Sequence, residues 1–113
     1  MEIEVTPLDE QCNVVRLHGR LDTSTIDRME TRFTAAVVAA NRNAVIDLSD
    51  VSFLASMAIR MLITNARAMT GRGRKLALFG ANEDVMSVLD AVSLDQIIPI
   101  TGDQQQAVAA LAG

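Results

Sequence analysis

The sequence contains no tryptophan and no tyrosine, and only three phenylalanines, Phe33, Phe53 and Phe79. Proteins that stack nucleic-acid bases need aromatic platforms, and a net charge of −4 with a pI near 4.8 disfavours general phosphate-backbone binding. A single cysteine, Cys12, cannot close an internal disulfide and suits a reducing compartment. A single histidine, His18, has no motif around it, so neither a Ser-His-acid site nor a His/Cys metal cluster is supported. Gly71-Arg72-Gly73-Arg74 has neither the spacing nor the following Lys-Ser/Thr of a phosphate-cradling loop. No apolar run approaches the ~18 residues of a membrane span, and the acidic start MEIEVTPLDE is unlike a signal peptide. Together these absences predict a cytoplasmic chain that is not an enzyme. It is expected to hold no cofactor or metal, to bind no nucleic acid and to insert into no membrane.

What is present is aliphatic. Half of the 113 residues are hydrophobic, enough for one core in one domain spanning 1–113. Residues 1–6 alternate Met1, Ile3 and Val5 against Glu2, Glu4 and Thr6, the period-two pattern of a half-buried strand that Pro7 ends or holds at an edge. A second strand through Asn13–His18, stopping at Gly19, makes an antiparallel hairpin with the first across Asp9-Glu10-Gln11.

Thr23-Ser24-Thr25 offers caps to a helix, with Asp27 completing a capping-box variant. Its apolar stripe is Ile26, Met29, Phe33, Ala36, Val37 and Ala40, and Asn41-Arg42-Asn43 breaks it. Ala44–Leu48 reads as a strand covered on both faces, Ser49–Ala55 as a loop, and residues 56–70 as a helix with an Ile59, Leu62, Ile63, Ala66, Met69 stripe and Gly71 as its cap. Lys75–Phe79 is another buried strand, and Asn82 caps a short helix carrying Val85, Val88, Leu89 and Val92. Ile97–Ile100 is an edge strand, and residues 103–111 close the chain with a helix that turns Ala107, Val108 and Leu111 inward. The class is α/β: an opening hairpin, then alternating strands and helices, with a mixed sheet of four to five strands and about four helices.

The central segment Ile46-Asp47-Leu48-Ser49-Asp50-Val51-Ser52-Phe53-Leu54-Ala55-Ser56-Met57-Ala58-Ile59-Arg60 resembles the signature of the STAS family, roughly D-L-S-x-V-x-F-[LIM]-D-S-[ST]-G-[LI]. Leu17–Asp22, Gly73–Leu76, and Val85–Val92 followed by Ile98-Pro99-Ile100 agree in order and spacing, so the resemblance spans nearly the whole chain. It implies an anti-sigma factor antagonist of bacterial signalling. Such a protein binds a serine-kinase anti-sigma factor, frees a sigma factor for transcription, and is switched off when the kinase phosphorylates a hydroxyl at the start of the second helix. ATP and magnesium belong to the kinase in this scheme, and a serine phosphatase resets the antagonist.

Carried onto this sequence, the resemblance makes Ser56 the phosphoacceptor, with Ser52 as a weaker candidate. The expected partner surface is Asp22, Ser52, Phe53, Leu54, Ala55, Ser56, Met57, Arg60 and Met61. Where the family has D-S-[ST]-G, this chain has Ala55-Ser56-Met57-Ala58: the acidic residue and the second hydroxyl are absent. That departure keeps an alternative open, a non-phosphorylated subunit of a larger assembly such as a lipid-transport complex or a stress-signalling scaffold.

Plain structural readings stand beside these. Ser56 is a natural helix N-cap, and Asp22 is either the cap of the first helix or part of the recognition rim. Met57 and Met61, four apart, are expected on the outer face with Arg60 and Thr64. Asp47 and Asp50 suit loop N–H groups and have no nucleophile to serve. Arg67, Arg72, Arg74 and Lys75 complement a helix C-terminus, and His18 is expected to point outward.

Overall fold

The computed structural model describes residues 2–112, so Met1, assigned to the first strand above, lies outside them. Five strands form one sheet in the order β1-β2-β3-β4-β5: β1 (Ile3–Pro7), β2 (Cys12–Leu21), β3 (Asn43–Leu54), β4 (Leu76–Phe79) and β5 (Ile100–Thr101). β1 and β2 are antiparallel, and β2 through β5 run parallel. The connections are α1 (Thr23–Thr34), continued by a π-helical turn (Ala35–Ala39), then α2 (Ser56–Thr70), then α3 (Glu83–Ala91) with a 3₁₀ turn (Leu94–Gln96); α4 (Gln104–Leu111) closes the chain. This is the mixed α/β sheet and four-helix layout expected from the alternating pattern. None of the helices is long and apolar enough to cross a membrane.

α1, α2 and α3 bury Ile26, Met29, Phe33, Leu62, Met69, Val85 and Leu89 against Val15, Leu17, Ile46, Leu48, Leu76 and Leu78 of the sheet. α4 covers part of the other face, where Ala107 and Leu111 meet Cys12, Val45, Ala77 and Phe79. Two-sided cover explains why β4 is buried at every position. The remainder of that face, over β1 and β2, leaves Glu4, Thr6 and Arg16 exposed. At the edge, Ile3 is buried but Val5 is 45% exposed, so the alternation of β1 buries only one of the two.

The strands reach further than the sequence pattern indicates. β2 continues through Gly19, whose φ of +84° suits glycine, and ends at Leu21. β3 runs on through the stretch read as a loop, as far as Leu54, pairing with β2 to the last residues. Two register shifts, between Arg16 and His18 and between Gly19 and Arg20, each give β3 one residue more than β2. The extra residues turn the strand as they pass, so Leu48, Val51 and Leu54 are buried at every third position while Ser49, Asp50, Ser52 and Phe53 are exposed. The last strand is correspondingly shorter than expected: Leu94–Gln96 is a 3₁₀ turn, and only Ile100 and Thr101 pair with β4.

The candidate partner face

The last residues of β2 and β3 pair, Leu21 with Leu54, and each strand then turns directly into a helix. The Ala55 N–H donates to the Leu21 carbonyl at 3.0 Å, which sets the starts of α1 and α2 side by side. Asp22 is the N-cap of α1: its carboxylate accepts from the Thr25 N–H at 3.0 Å. That bond, together with the Thr25 hydroxyl, holds the Asp22 carboxyl below the usual range. The Thr23-Ser24-Thr25 run therefore lies inside the helix, and the cap is the residue before it.

At α2 the N-cap position belongs to Ala55, which offers no side-chain acceptor. Ser56 is the first helical residue and is exposed; it is not the cap. The first-turn N–H groups of α2 thus lack the side-chain partner that Asp22 gives α1, and they lie beside the Ser56 hydroxyl.

Ser56, Arg60, Thr64 and Arg67 form the outward face of α2. Met61 does not: it is 2% exposed, and the buried arc of α2 consists of Ala58, Ile59, Met61, Leu62, Asn65 and Met69. Compared with the stripe expected from the sequence, the inward face is rotated, leaving Ile63 and Ala66 half-buried. Asn65 accounts for much of the difference, because it is buried with its amide donating to the Met61 carbonyl at 2.7 Å, so a polar residue sits where the apolar pattern gave no signal. Leu54 is buried at 3% exposure and likewise leaves the expected surface, while Met57 is half-buried against the core.

The structure brings Ser52, Phe53, Ser56 and Arg60 to one end of the molecule, with Asp22 and Ala55 half-buried between the strands and helices. It adds residues that the sequence pattern did not single out. The Arg20 guanidinium lies 4.4 Å from the centroid of the Phe53 ring. Asp84, Val85 and Val88 of α3 join Ser52, Phe53 and Leu54 around a shallow pocket of about 260 Å³. Only the β2–β3 register reveals the first contact, and only the packing of α3 beside β3 reveals the second.

Below this face Asp47 is 4% exposed and fully engaged. Its Oδ1 accepts from the Ser49 N–H at 2.9 Å and the Ser49 hydroxyl at 2.6 Å, and its Oδ2 from Arg16 Nε at 3.0 Å. Burial opposes its charge, but the Ser49 bonds and Arg16 outweigh burial and hold the carboxyl below its ordinary value. His18 is not turned freely to solvent. Its side chain is 28% exposed, with Nε2 3.0 Å from Glu4 and Nδ1 3.2 Å from Asp50. Cys12 is buried, and burial raises its thiol. Among the described residues, no group of three or more His, Cys, Asp and Glu side chains could hold a metal ion.

The STAS domain profile matches residues 3–107, and the chain belongs to that family. Its structure is similar to an anti-sigma factor antagonist from Mycobacterium paratuberculosis, with a TM-score of 0.85 and 25% identity over 98% of this chain and 93% of that one. It is also similar to a STAS-domain anti-sigma factor antagonist from Planctomyces limnophilus, with a TM-score of 0.83 and 24% identity over 98% of both chains. The phosphorylated form of the Bacillus cell fate determinant SpoIIAA superposes with a TM-score of 0.70 at 14% identity, covering 96% of this chain and 97% of that one. No curated protein sequence matches the chain.

Proposed function

We propose that the chain is an anti-sigma factor antagonist that docks a serine-kinase anti-sigma factor on the face around Ser52, Phe53, Ser56 and Arg60, and so releases a sigma factor. The observation that carries this reading is the exposed Ser56 hydroxyl on the first turn of an uncapped helix, beside an exposed aromatic ring and a pocket. Phosphorylation of Ser56 by the docked kinase ends the interaction. The phosphate adds a charge of about −1.5 to −2. At a helix N-terminus that charge is tolerated by the domain itself, yet it must be stripped of water when the kinase docks. An uncompensated buried charge costs several kcal/mol, and about 1.4 kcal/mol is already tenfold in affinity. The switch therefore acts at the interface without unfolding the antagonist, and a serine phosphatase reverses it.

Ala55 and Met57 on either side of Ser56 favour a second reading, a STAS subunit that binds without being phosphorylated. Incubation with the serine kinase encoded in the same genome and magnesium-ATP, followed by intact mass, separates the two. A gain of about 80 Da, one phosphate, that is abolished by Ser56→Ala supports the switch. A stable complex without mass gain supports constitutive binding. No complex and no gain removes the kinase as partner.

A further inference from the structure

A phosphate on Ser56 adds its negative charge to a helix whose only charged residues are positive. α2 contains Arg60 and Arg67 and no carboxylate, and no Asp or Glu occurs anywhere between Asp50 and Glu83. Ser56 is the first residue of α2 and Arg60 follows one turn later; both are exposed. Residues at i and i+4 share one face of a helix, with Cβ atoms roughly 5–6 Å apart. Long helical side chains lie back over the turn N-terminal to their own Cα, which puts the Arg60 side chain over the turn that holds Ser56. Between them Met57 and Ala58 are apolar and Ile59 is buried, so Arg60 is the polar side chain of that turn.

Arg60 is also uncommitted. Among the described residues its guanidinium has no ion-pair or hydrogen-bond partner. Neighbouring cations are engaged or distant. Arg20 lies 4.4 Å from the Phe53 ring centroid, and Arg28 donates to the Ser24 hydroxyl at 3.0 Å and to Glu2 at 3.2 Å. At about 1.5 Å per residue, Arg67 lies roughly 16 Å along the axis from Ser56. Ala55, immediately before Ser56, carries no charge. Of the carboxylates on adjoining elements, Asp22 accepts from the Thr25 N–H and Asp50 lies against His18. Asp84, at the pocket beside Phe53, opposes a phosphate.

We infer that Arg60 is the internal counter-charge of the Ser56 phosphate, an inference that rests on the phosphorylation proposed above. The guanidinium donates N–H groups to the phosphate oxygens, and an anion four residues N-terminal to a cation is the favourable order on a helix. Phosphorylation then changes the docking face in two ways. It adds a charge of about −1.5 to −2, and it withdraws the free guanidinium that an acidic group of the partner could otherwise engage. The modified chain is held in an internally paired state. Arg60 acts as a positioning residue on the product of the modification and takes no part in phosphoryl transfer.

The test incorporates phosphoserine in place of Ser56 during synthesis of the full chain, so that it depends on no kinase. Phosphorus NMR follows the second ionisation of the phosphate, near about pH 6 in phosphoserine, in the wild-type background, in Arg60→Gln and in Arg60→Lys. With Arg60 present the ionisation should fall several tenths of a pH unit below that in Arg60→Gln, the size of an exposed i, i+4 charge pair, with Arg60→Lys between them. The gap should narrow as salt is raised. Melting curves with and without the phosphate complete a double-mutant cycle, in which phosphorylation should raise the melting temperature more in the wild-type background than in Arg60→Gln. Arg, Lys and Gln have similar helix propensity, so these exposed substitutions preserve α2. Coincident titration curves for wild type and Arg60→Gln overturn the inference, as does an Arg67→Gln variant that shifts the ionisation as much as Arg60→Gln does. Absence of a mass gain in the kinase assay counts against the phosphorylation itself, whereas these curves report on Arg60, so the two failures are distinct.

Discussion

Arg20 at the end of β2 and Phe53 near the end of β3 are paired in register, and the guanidinium stacks 4.4 Å from the ring centroid. The contact holds a 39%-exposed aromatic ring in a fixed orientation next to Ser56 and the α3 pocket. Aromatic and arginine anchors dominate interface energetics because they offer large area at little entropic cost. Phe53→Ala should therefore reduce affinity for the anti-sigma factor by at least about tenfold, roughly 1.4 kcal/mol, while moving the melting temperature little. Titration calorimetry against the purified kinase provides the check, and an unchanged dissociation constant would remove Phe53 from the interface.

Ser56→Asp should uncouple stability from binding. A carboxylate in the first turn of α2 meets open N–H groups and the positive end of the helix dipole, an effect of about 0.3–1 kcal/mol in favour of the fold. The same charge opposes docking. Thermal denaturation should show a melting temperature equal to or above that of wild type, together with lost kinase binding in a pull-down. A variant that is both folded and fully binding would contradict the charge mechanism.

Met57 and Met61 should behave differently although they are four residues apart. Met61 is 2% exposed in the main core, so Met61→Ala leaves a cavity and should cost about 2–5 kcal/mol in urea unfolding. Met57 is only partly buried, and Met57→Ala should cost less than half as much while affecting partner affinity more. Equal destabilisation by both would mean that α2 is rotated from the position described.

Asp47 gives the fold an acid limit. Its carboxyl is depressed in the folded state, so the stability it contributes is fully present above the ordinary carboxylate range and is lost as pH falls through the depressed value. Asp47→Asn removes the charge that Arg16 and Ser49 engage, and should cost about 1–3 kcal/mol at neutral pH. The difference from wild type should shrink as the pH is lowered below the carboxylate range. Urea unfolding of both proteins at a series of pH values tests the sign, and a gap that widens toward acid would reverse it.

Much of the architecture follows from pattern alone. The Ile26, Met29, Phe33, Val37 stripe, the continuous apolar run Ala44–Leu48 and the Asn82 cap each show a local physical signature that the structure retains. The extension of β3 to Leu54 shows no such signature. Its two extra residues against β2 convert a period of two into a period of three, and LSDVSFL then reads as a loop. The buried face of α2 keeps Ile59, Leu62 and Met69 of the apolar stripe but is rotated toward Ala58, Met61 and Asn65, because Asn65 is polar by type yet buried with its amide bonded to the Met61 carbonyl.

The sequence by itself determined the class, α/β with an opening hairpin, and the resemblance that placed a hydroxyl at the head of the second helix. Those properties rest on residue spacing along one chain, which burial periodicity and helix starts report directly. Tertiary structure alone decided which residues share the face with Ser56. It placed Arg20 on Phe53, brought Asp84 and Val88 alongside, and withdrew Leu54 and Met61 into the core. These juxtapositions depend on strand register and helix packing between distant segments, where the chemistry of each residue is unchanged and only its neighbours are new.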